Sequence, residues 1–405
     1  MFKRRGMILL FVPGLWVLSC ASPAEERVGV NVMLDAFRSV DDGMGLWYLD
    51  PAQYRDGDNK DSALLGNSEC DVLAAYMAAF RATGDVHWLD RLEEHARIVL
   101  SMRDDLHDPP FKDYRGESSA AWTTHDANYV TEPKNYAFIV ESGNITFPLA
   151  DFAQMVDSQK ALKEKYGETA ALFAERVAET LRHHDEQWVT TKVGDLEVGY
   201  YVARKDADFL NGIQPGKPLP TNYHTSIGRT HIMMWLATGE ERYKKKAELI
   251  GAFVQLELVK LESGALIWYY WPRMEYMPLD TVVNGGNVDA EDVSHATITI
   301  EFMALARRHL QIYSDETMAG LAKMFTDQVY IDNARYHFLI DGTWPGTRGV
   351  YTLGGFMYLA EHNRRIGEMV RGMLIDGLGA HAKPEGAAGF KSTAQIMAYL
   401  SQSKR

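Results

Sequence analysis

The sequence has few cysteines and, beyond its first 20 residues, no long hydrophobic segment. Cys20 and Cys70 are the only cysteines among 405 residues, so at most one intrachain disulfide could form. Crossing a bilayer takes about 20 consecutive apolar residues, and no segment after residue 20 reaches that length. Apolar residues make up 46% of the chain and charged residues 24%, which is typical of a globular protein rather than a disordered one.

Positive charge is also scarce. Lys and Arg number 42 against 55 Asp and Glu, giving a formal net charge of −13. This balance argues against a nucleic-acid partner, because phosphate contacts need clustered basic side chains. The Gly-rich phosphate loop, the dinucleotide-binding fingerprint and the G-x-S-x-G nucleophile motif are missing as well. We therefore expect no cofactor.

The first 19 residues have the order of a bacterial lipoprotein signal peptide. Basic residues 3–5 precede an apolar run over 7–18, which is too short to span a bilayer, and Cys20 follows a small residue. This order resembles the lipobox, in which the cysteine carries lipid. It predicts a lipid on Cys20, a short tether over 20–30, and an anchored protein of the bacterial cell envelope, periplasmic or facing the outer membrane. An ordinary signal peptide cleaved nearby is the alternative.

A weak internal repeat dominates the remaining sequence. The segment FRATGDVHWLD at 80–90 resembles WLATGEERYK at 235–244. In both, a glycine suited to a left-handed C-cap ends one helix, and an acidic residue begins the next. The helix before the glycine is apolar nearly all round. The helix after it has apolar residues at three- and four-residue spacing, as on one face of a helix.

The same pairing of an all-round apolar helix with a one-faced helix occurs elsewhere in the chain. The predicted pairs are 144–156 with 168–188, 292–312 with 316–329, and 349–362 with a less defined helix at 391–401. Hairpins repeated at roughly 60–80 residues predict an all-α fold, an α/α toroid with inner and outer helices, in one domain over 31–405. Short strands are expected in its loops, at 195–201 and 266–271. An open solenoid is the alternative, with a period about half as long.

Aromatic residues are concentrated in the segment IWYYWPRMEYMP, residues 267–278. Tyr and Trp have polar tips that need partners when they are buried, and their flat faces suit sugar rings. We predict that Trp268 and Trp271 stack on sugar units, together with Trp122 from the long polar loop at 103–143. An aromatic-rich core is the competing interpretation.

Polar residues recur at the expected N-termini of the inner helices. A toroid gathers these ends around one mouth of its central funnel, although each residue alone could be an ordinary helix cap. The predicted site residues at these positions are Asn144, Asn222, Tyr223, His224, Asp292, His295 and Arg348. Glu291 and His295 share a helical face and could bind a metal. No third ligand is evident, so we predict no metal site and a substrate-contacting or structural role.

One combination of these residues is similar to a known family. Asn222 and His224 form an Asn-x-His at the start of an inner helix, and Arg273 is followed closely by Tyr276. With Asn144, this set resembles the toroidal uronate polysaccharide lyases of the alginate and glucuronan lyase type. The resemblance implies β-elimination from an anionic polysaccharide, in which the C5 proton of a uronic acid is removed and the C4 oxygen is expelled.

The implied chemistry gives each residue a role. Asn144 and His224 would stabilise the charge that develops on the carboxylate of the sugar. Arg273 would lower the pKa of Tyr276, or of Tyr270, so that one tyrosine removes the proton and later donates one. A uronyl C5-epimerase shares the proton removal, and a glycoside hydrolase needs two carboxylates facing each other across the cleft. A sugar-binding lipoprotein without catalysis is the non-enzyme alternative.

Overall fold

The structure is a computed structural model that describes residues 23–49, 61–274, 289–346, 350–376 and 386–402. Cys20 and its predicted lipid lie outside the described residues. Among the described helices, none is both long and apolar enough to cross a membrane. In chain order the α-helices are α1 (Pro23–Met44), α2 (Asp61–Leu64), α3 (Cys70–Thr83), α4 (His87–Ser101), α5 (Ile139–Asp157), α6 (Lys160–His183), α7 (Thr221–Thr238), α8 (Glu241–Glu257), α9 (Val293–Leu310), α10 (Asp315–Met324), α11 (Arg365–Asp376) and α12 (Gly386–Gln402).

Alternate helices form an inner ring and an outer ring. The inner elements are α3, α5, α7, α9, a 3₁₀ helix at Val350–Leu359, and α12; each contacts the next, and α12 returns to α3. Outer helices α4, α6 and α8 each pack on the inner helix that precedes them, and α1 packs on α12. The predicted α/α toroid is therefore confirmed, and the open solenoid is wrong because the ring closes.

The predicted helix boundaries agree best with the structure at the two copies of the repeated motif. Gly84 and Gly239 both adopt φ near +70°, and their N–H groups donate to the carbonyls of Phe80 and Trp235 at 2.7 and 2.8 Å. This is the left-handed C-cap expected from the repeated motif. Several assignments differ from the prediction, among them the outer helix predicted at 168–188, which spans Lys160–His183. The tether includes helical residues 23–30, α12 belongs to the inner ring, and α11 supplies an outer helix that the sequence pattern missed.

Short antiparallel strands lie in the connections. They are β1 (Trp188–Val193), β2 (Leu196–Tyr201), β3 (Val259–Lys260), β4 (Leu266–Ile267), β5 (Tyr330–Asp332), β6 (Arg335–His337) and β7 (Pro345–Gly346). Strands β1 and β2 form a hairpin, β3 pairs with β4, and β5, β6 and β7 form the largest sheet. Both predicted strands exist, although β4 is shorter than expected because the chain after Ile267 leaves the ladder.

Inner helices α5 and α7 approach each other closely at Gly143. A Cβ atom built there would lie 2.3 Å from the Ser226 hydroxyl and 2.5 Å from the backbone nitrogen of Ile227. Because the backbone of α7 cannot yield without moving the ring, we expect Gly143→Ala to lower the free energy of unfolding by about 1–3 kcal/mol. Urea denaturation followed by circular dichroism measures this change.

Gly167 on outer helix α6 offers a matched control. The nearest atom to a Cβ there is 3.7 Å away, on the Lys163 side chain, which is ordinary contact. Gly167→Ala should therefore stabilise the protein by up to about 1 kcal/mol through helix propensity. Equal stability of the two variants would show that the α5–α7 contact is less tight than described.

Candidate active site

A cavity of about 220 Å³ lies inside the ring, among the N-terminal halves of the inner helices. We call it the central cavity. Residues from α3, α5, α7, α9, α12 and the 3₁₀ helix line it, as expected for a site built at one end of a toroid. Its polar and charged lining residues include Asn67, Asp71, Asn144, Arg229, Ser294, His295, Glu301, Lys391 and Gln395.

The N-terminus of α9 positions a histidine–aspartate pair. Asp292 is the N-cap, and its Oδ1 accepts the backbone N–H groups of Ser294 and His295 at 2.9 and 3.3 Å. Its Oδ2 is hydrogen-bonded to Nδ1 of His295. The capping bonds fix Asp292, so the carboxylate holds the imidazole with its proton on Nδ1. Within the described residues, Nε2 of His295 forms no hydrogen bond, and the side chain is 41% exposed.

This pairing shifts the proton affinity of His295. Burial favours the neutral ring, but the hydrogen bond to Asp292 and the charge of that carboxylate outweigh the effect of burial, so the pKa of His295 is raised. The pKa of Asp292 is lowered: burial opposes ionisation, and the hydrogen bond and charge of His295 favour it. The pair is therefore a carboxylate-oriented imidazole that can accept a proton at Nε2.

Two ion pairs lie among the residues that line the central cavity. Lys391 donates to Asp71 at 2.8 Å, with both side chains mostly buried. Arg229 pairs with Glu301, and its other terminal nitrogen donates to Oδ1 of Asn144 at 2.8 Å. The pKa of Glu301 is lowered, because the charges of Arg229 and Lys391 outweigh the effect of burial.

Sequence reasoning missed three of these four charged residues, Arg229, Glu301 and Lys391, and considered Asp71 only as one of several possible hydrolase carboxylates. The sequence did contain a signal for Arg229 and Glu301, because each is a charged residue within a helix predicted to be apolar nearly all round. An unpaired charge in such a helix is costly to bury, so each implies a partner. Asn144 was predicted and lines the cavity, and its Nδ2 donates to the carbonyl of Gly66 at 3.0 Å.

His224 does not reach the central cavity. It is fully buried, its Nδ1 accepts the backbone N–H of Tyr201 at 3.2 Å, and its Nε2 donates to the carbonyl of Leu219 at 2.9 Å. Burial lowers the pKa of His224 to about 3. Both ring nitrogens form hydrogen bonds, which connect α7 to β2 and to the loop that precedes α7. The predicted contact of His224 with a sugar carboxylate is therefore wrong.

The tryptophans predicted to stack on sugars are mostly core residues. Trp122 is 2% exposed and donates to the carbonyl of Val99 at 2.9 Å. Trp268 is fully buried and donates to Glu291. These contacts satisfy the indole N–H groups inside the protein and contradict a direct role in substrate binding. Trp271 is partly exposed, so its stacking on a sugar unit remains a prediction.

Asn222 and Tyr223 also lie inside the protein, at the start of α7. Asn222 is fully buried, and neither its amide nitrogen nor its oxygen has a partner among the described residues. Tyr223 is 5% exposed. Neither residue lines the central cavity, which contradicts their predicted contacts with substrate there.

The aromatic segment contributes Tyr270 to the neighbourhood of His295. The two ring centroids are 5.4 Å apart. Burial, together with the charges of Glu291 and Asp292, raises the pKa of Tyr270 well above its usual value, so Tyr270 is a proton donor near neutral pH rather than a base. Arg273 lies over the ring of Tyr269, with its guanidinium carbon 5.1 Å from the ring centre. Predicted residues Tyr276 and Arg348 lie outside the described residues.

Glu291 is buried behind this pair rather than in a metal site. It accepts hydrogen bonds from Trp268 and, at 3.1 Å, from Thr299. Burial raises the pKa of Glu291 to about 8, so this carboxyl group is largely protonated at neutral pH. Across the described ranges, no group of three or more His, Cys, Asp or Glu side chains is arranged to hold a metal ion.

No protein-family model matches the sequence, and no curated protein matches it. Solved structures do share the fold. An unsaturated glucuronyl hydrolase from Bacillus sp. GL1 is 12% identical, with 94% of this chain and 97% of that chain covered and a TM-score of 0.53. A D-mannose isomerase is 9% identical, with 94% and 98% covered and a TM-score of 0.52.

A family 76 glycoside hydrolase from a bovine Bacteroides thetaiotaomicron strain is also similar. It is 12% identical, with 84% of this chain and 69% of that chain covered and a TM-score of 0.50. At these identities the likeness establishes the α/α toroid and nothing finer. Enzymes of different reaction types have this fold, so the residues of the central cavity have to carry the argument about chemistry.

Proposed function

We propose that the protein is a polysaccharide lyase that cleaves a uronic-acid-containing polymer, such as a glucuronan or alginate, by β-elimination. The observation that carries the proposal is the His295–Asp292 pair. His295 lines a cavity that also contains a lysine and amide groups, and its Nε2 has no hydrogen-bond partner among the described residues. The fold supports action on carbohydrate, because the similar structures named above include a glucuronyl hydrolase and a mannose isomerase.

The proposed reaction uses His295 as the base. Its Nε2 takes the C5 proton, the electrons of the C–H bond form the C4–C5 double bond, and the C4–O bond breaks. Tyr270, which is protonated at neutral pH, donates a proton to the departing oxygen. The carboxylate next to C5 must be stabilised as charge develops on it. Lys391 and the amides of Asn67 and Asn144 are the cavity groups suited to that task.

The carboxylates of the cavity favour this chemistry over hydrolysis. A glycoside hydrolase needs one carboxyl group that stays protonated near neutral pH and a second that is ionised. Asp71 is paired with Lys391, and the pKa of Glu301 is lowered by Arg229 and Lys391. Neither carboxylate is suited to act as the acid. The imidazole of His295 is suited to proton transfer at carbon, which a lyase and an epimerase share.

Incubation of the full chain with glucuronan, alginate and their oligosaccharides tests the proposal. We expect rising ultraviolet absorbance from the unsaturated uronate at the new non-reducing ends. New reducing ends without that absorbance would identify a hydrolase. Exchange of the C5 proton with solvent deuterium, without cleavage, would identify an epimerase. Binding without reaction would identify a sugar-binding protein. Each of these three outcomes would contradict the lyase.

The pH dependence of turnover should follow the protonation of His295. A base acts in its neutral form, so kcat/KM should rise as pH increases through the pKa of His295. This pKa is raised above the ordinary value of 6.5, so the rise should lie at higher pH than an ordinary histidine gives. Asp292→Asn removes the charge that raises the pKa but keeps a side chain able to cap α9.

We therefore expect the acidic limb of the Asp292→Asn profile to move to lower pH by about one unit, with a lower plateau because the ring is held less firmly. Circular dichroism provides the control that α9 and the ring remain folded. An unchanged position of the limb would mean that another group sets the pH dependence.

A further inference from the structure

A second cavity, of about 330 Å³, lies between outer helices α6 and α8 and shares no lining residue with the central cavity. We call it the lateral cavity. Inner helix α7 closes its floor with His231, and Trp188 of β1 forms part of its wall. Its cationic residues are Arg182 at the end of α6 and Arg242 and Lys246 at the start of α8.

The lateral cavity has a local excess of positive charge in an acidic protein. Its one carboxylate, Asp185, bonds to Lys246 at 2.5 Å, and Arg242 pairs with Glu240 outside the cavity at 2.8 Å. Arg182 forms no ion pair with any described residue. The lining therefore has three cations against one carboxylate, and this excess of positive charge favours the binding of an anion.

Aromatic rings hold two of these cations in place. Lys246 lies 5.1 Å from the centre of the Trp188 ring, and Arg242 lies 4.6 Å from the centre of the Tyr243 ring. Cation–π contacts of this kind restrain side chains that would otherwise sample many rotamers. The restrained cations lose less conformational entropy when a ligand binds.

His231 adds an unpaired polar atom at the floor. It is 1% exposed, and its Nε2 is 2.9 Å from the hydroxyl of Tyr201, while Nδ1 is buried without a partner among the described residues. Burial and the charges of Lys246 and Arg242 lower the pKa of His231, so the ring is neutral. When the Tyr201 hydroxyl donates to Nε2, the proton of the ring is on Nδ1, which is then a donor with no acceptor. Buried polar groups seldom stay unpaired.

We propose that the lateral cavity is a binding site for a tetrahedral oxyanion, sulfate or phosphate, either as the free ion or carried on a saccharide. Arg182, Arg242 and Lys246 supply the charge and the hydrogen-bond donors, and His231 closes the floor of the cavity. The site is separate from the central cavity and does not depend on the lyase reaction.

Isothermal titration calorimetry of the full chain with sodium sulfate and sodium phosphate, at ionic strength matched with chloride, tests this site. We expect saturable binding to one site, weakened at least tenfold in the double variant Arg182→Gln/Arg242→Gln, because two charge-assisted hydrogen bonds are lost. Lys244→Gln is the matched control. Lys244 is on the same helix but lies over Trp235 outside the cavity, so binding should not change.

Titration with galactose 6-sulfate distinguishes the two sources of the anion. Affinity at least tenfold higher than for inorganic sulfate would assign the site to a sulfated saccharide, and equal affinity would assign it to the free ion. No saturable binding of any of these probes would overturn the proposal. Equal binding by the wild type and the double variant would overturn it as well, once circular dichroism shows that both are folded.

Discussion

In the proposed lyase reaction, His295→Ala should reduce kcat by about 100- to 10,000-fold, which is the usual contribution of a general base. The side chain of His295 contacts the proton that is removed, while Lys391 and the amides of Asn67 and Asn144 provide the binding contacts in the proposed reaction. KM should therefore change much less than kcat. Steady-state rates from the ultraviolet absorbance of the product measure both constants.

Two controls separate this effect from a loss of structure. His87→Gln replaces an exposed histidine at the start of α4, outside the central cavity, and should leave kcat unchanged. Added imidazole should partly restore the rate of His295→Ala, because it can enter the space left by the side chain. If His295→Ala turns over near the wild-type rate, the His295–Asp292 pair is only a helix cap.

Arg229→Met should lower the free energy of unfolding by about 3–5 kcal/mol, the usual cost of leaving one buried charge without its partner. Arg229 is 2% exposed, pairs with Glu301, bonds to Asn144 and lies 4.5 Å from the centre of the Phe147 ring. Methionine fills much of the space but leaves the Glu301 carboxylate buried beside an apolar group. Urea denaturation gives the change in free energy.

The double variant Arg229→Met/Glu301→Leu should recover part of this loss, because the uncompensated charge is then gone. Arg38→Met supplies the exposed comparison. Arg38 pairs with Asp85, and the two side chains are 46% and 38% exposed, so its loss should cost less than about 1 kcal/mol. Equal costs for Arg229→Met and Arg38→Met would show that the buried pair is not needed for stability.

The fold was predictable because its signals are local. Apolar spacing and the caps at Gly84 and Gly239 depend on a few neighbouring residues, and hairpins of this size pack together in few ways. The 3₁₀ helix was harder to predict because Gly354 and Gly355 give it little helix propensity. A Cβ atom at these two positions would collide with Ser392 and Thr297, so tertiary packing decides its geometry.

The site was predictable only in part, because neighbouring residues of a helix point in different directions and a short motif does not show which of them faces the cavity. Successive side chains on a helix point about 100° apart, so an Asn-x-His motif does not determine which side chain faces the axis. Asn144 and His295 face the central cavity, whereas His224 is turned toward β2. The pairing of Arg229 with Glu301, 72 residues apart, also depends on tertiary structure.

The contact between α1 and α12 has a consequence for synthesis on the ribosome. The first outer helix emerges early, but its inner partner is the last helix of the described chain. The apolar faces of α1 and α3 therefore remain without their final neighbours until α12 has left the exit tunnel. Contacts between such distant segments slow folding and prolong the exposure of apolar surface. This toroid therefore cannot close its ring before α12 has been synthesised, and until then the partly folded chain exposes apolar surface.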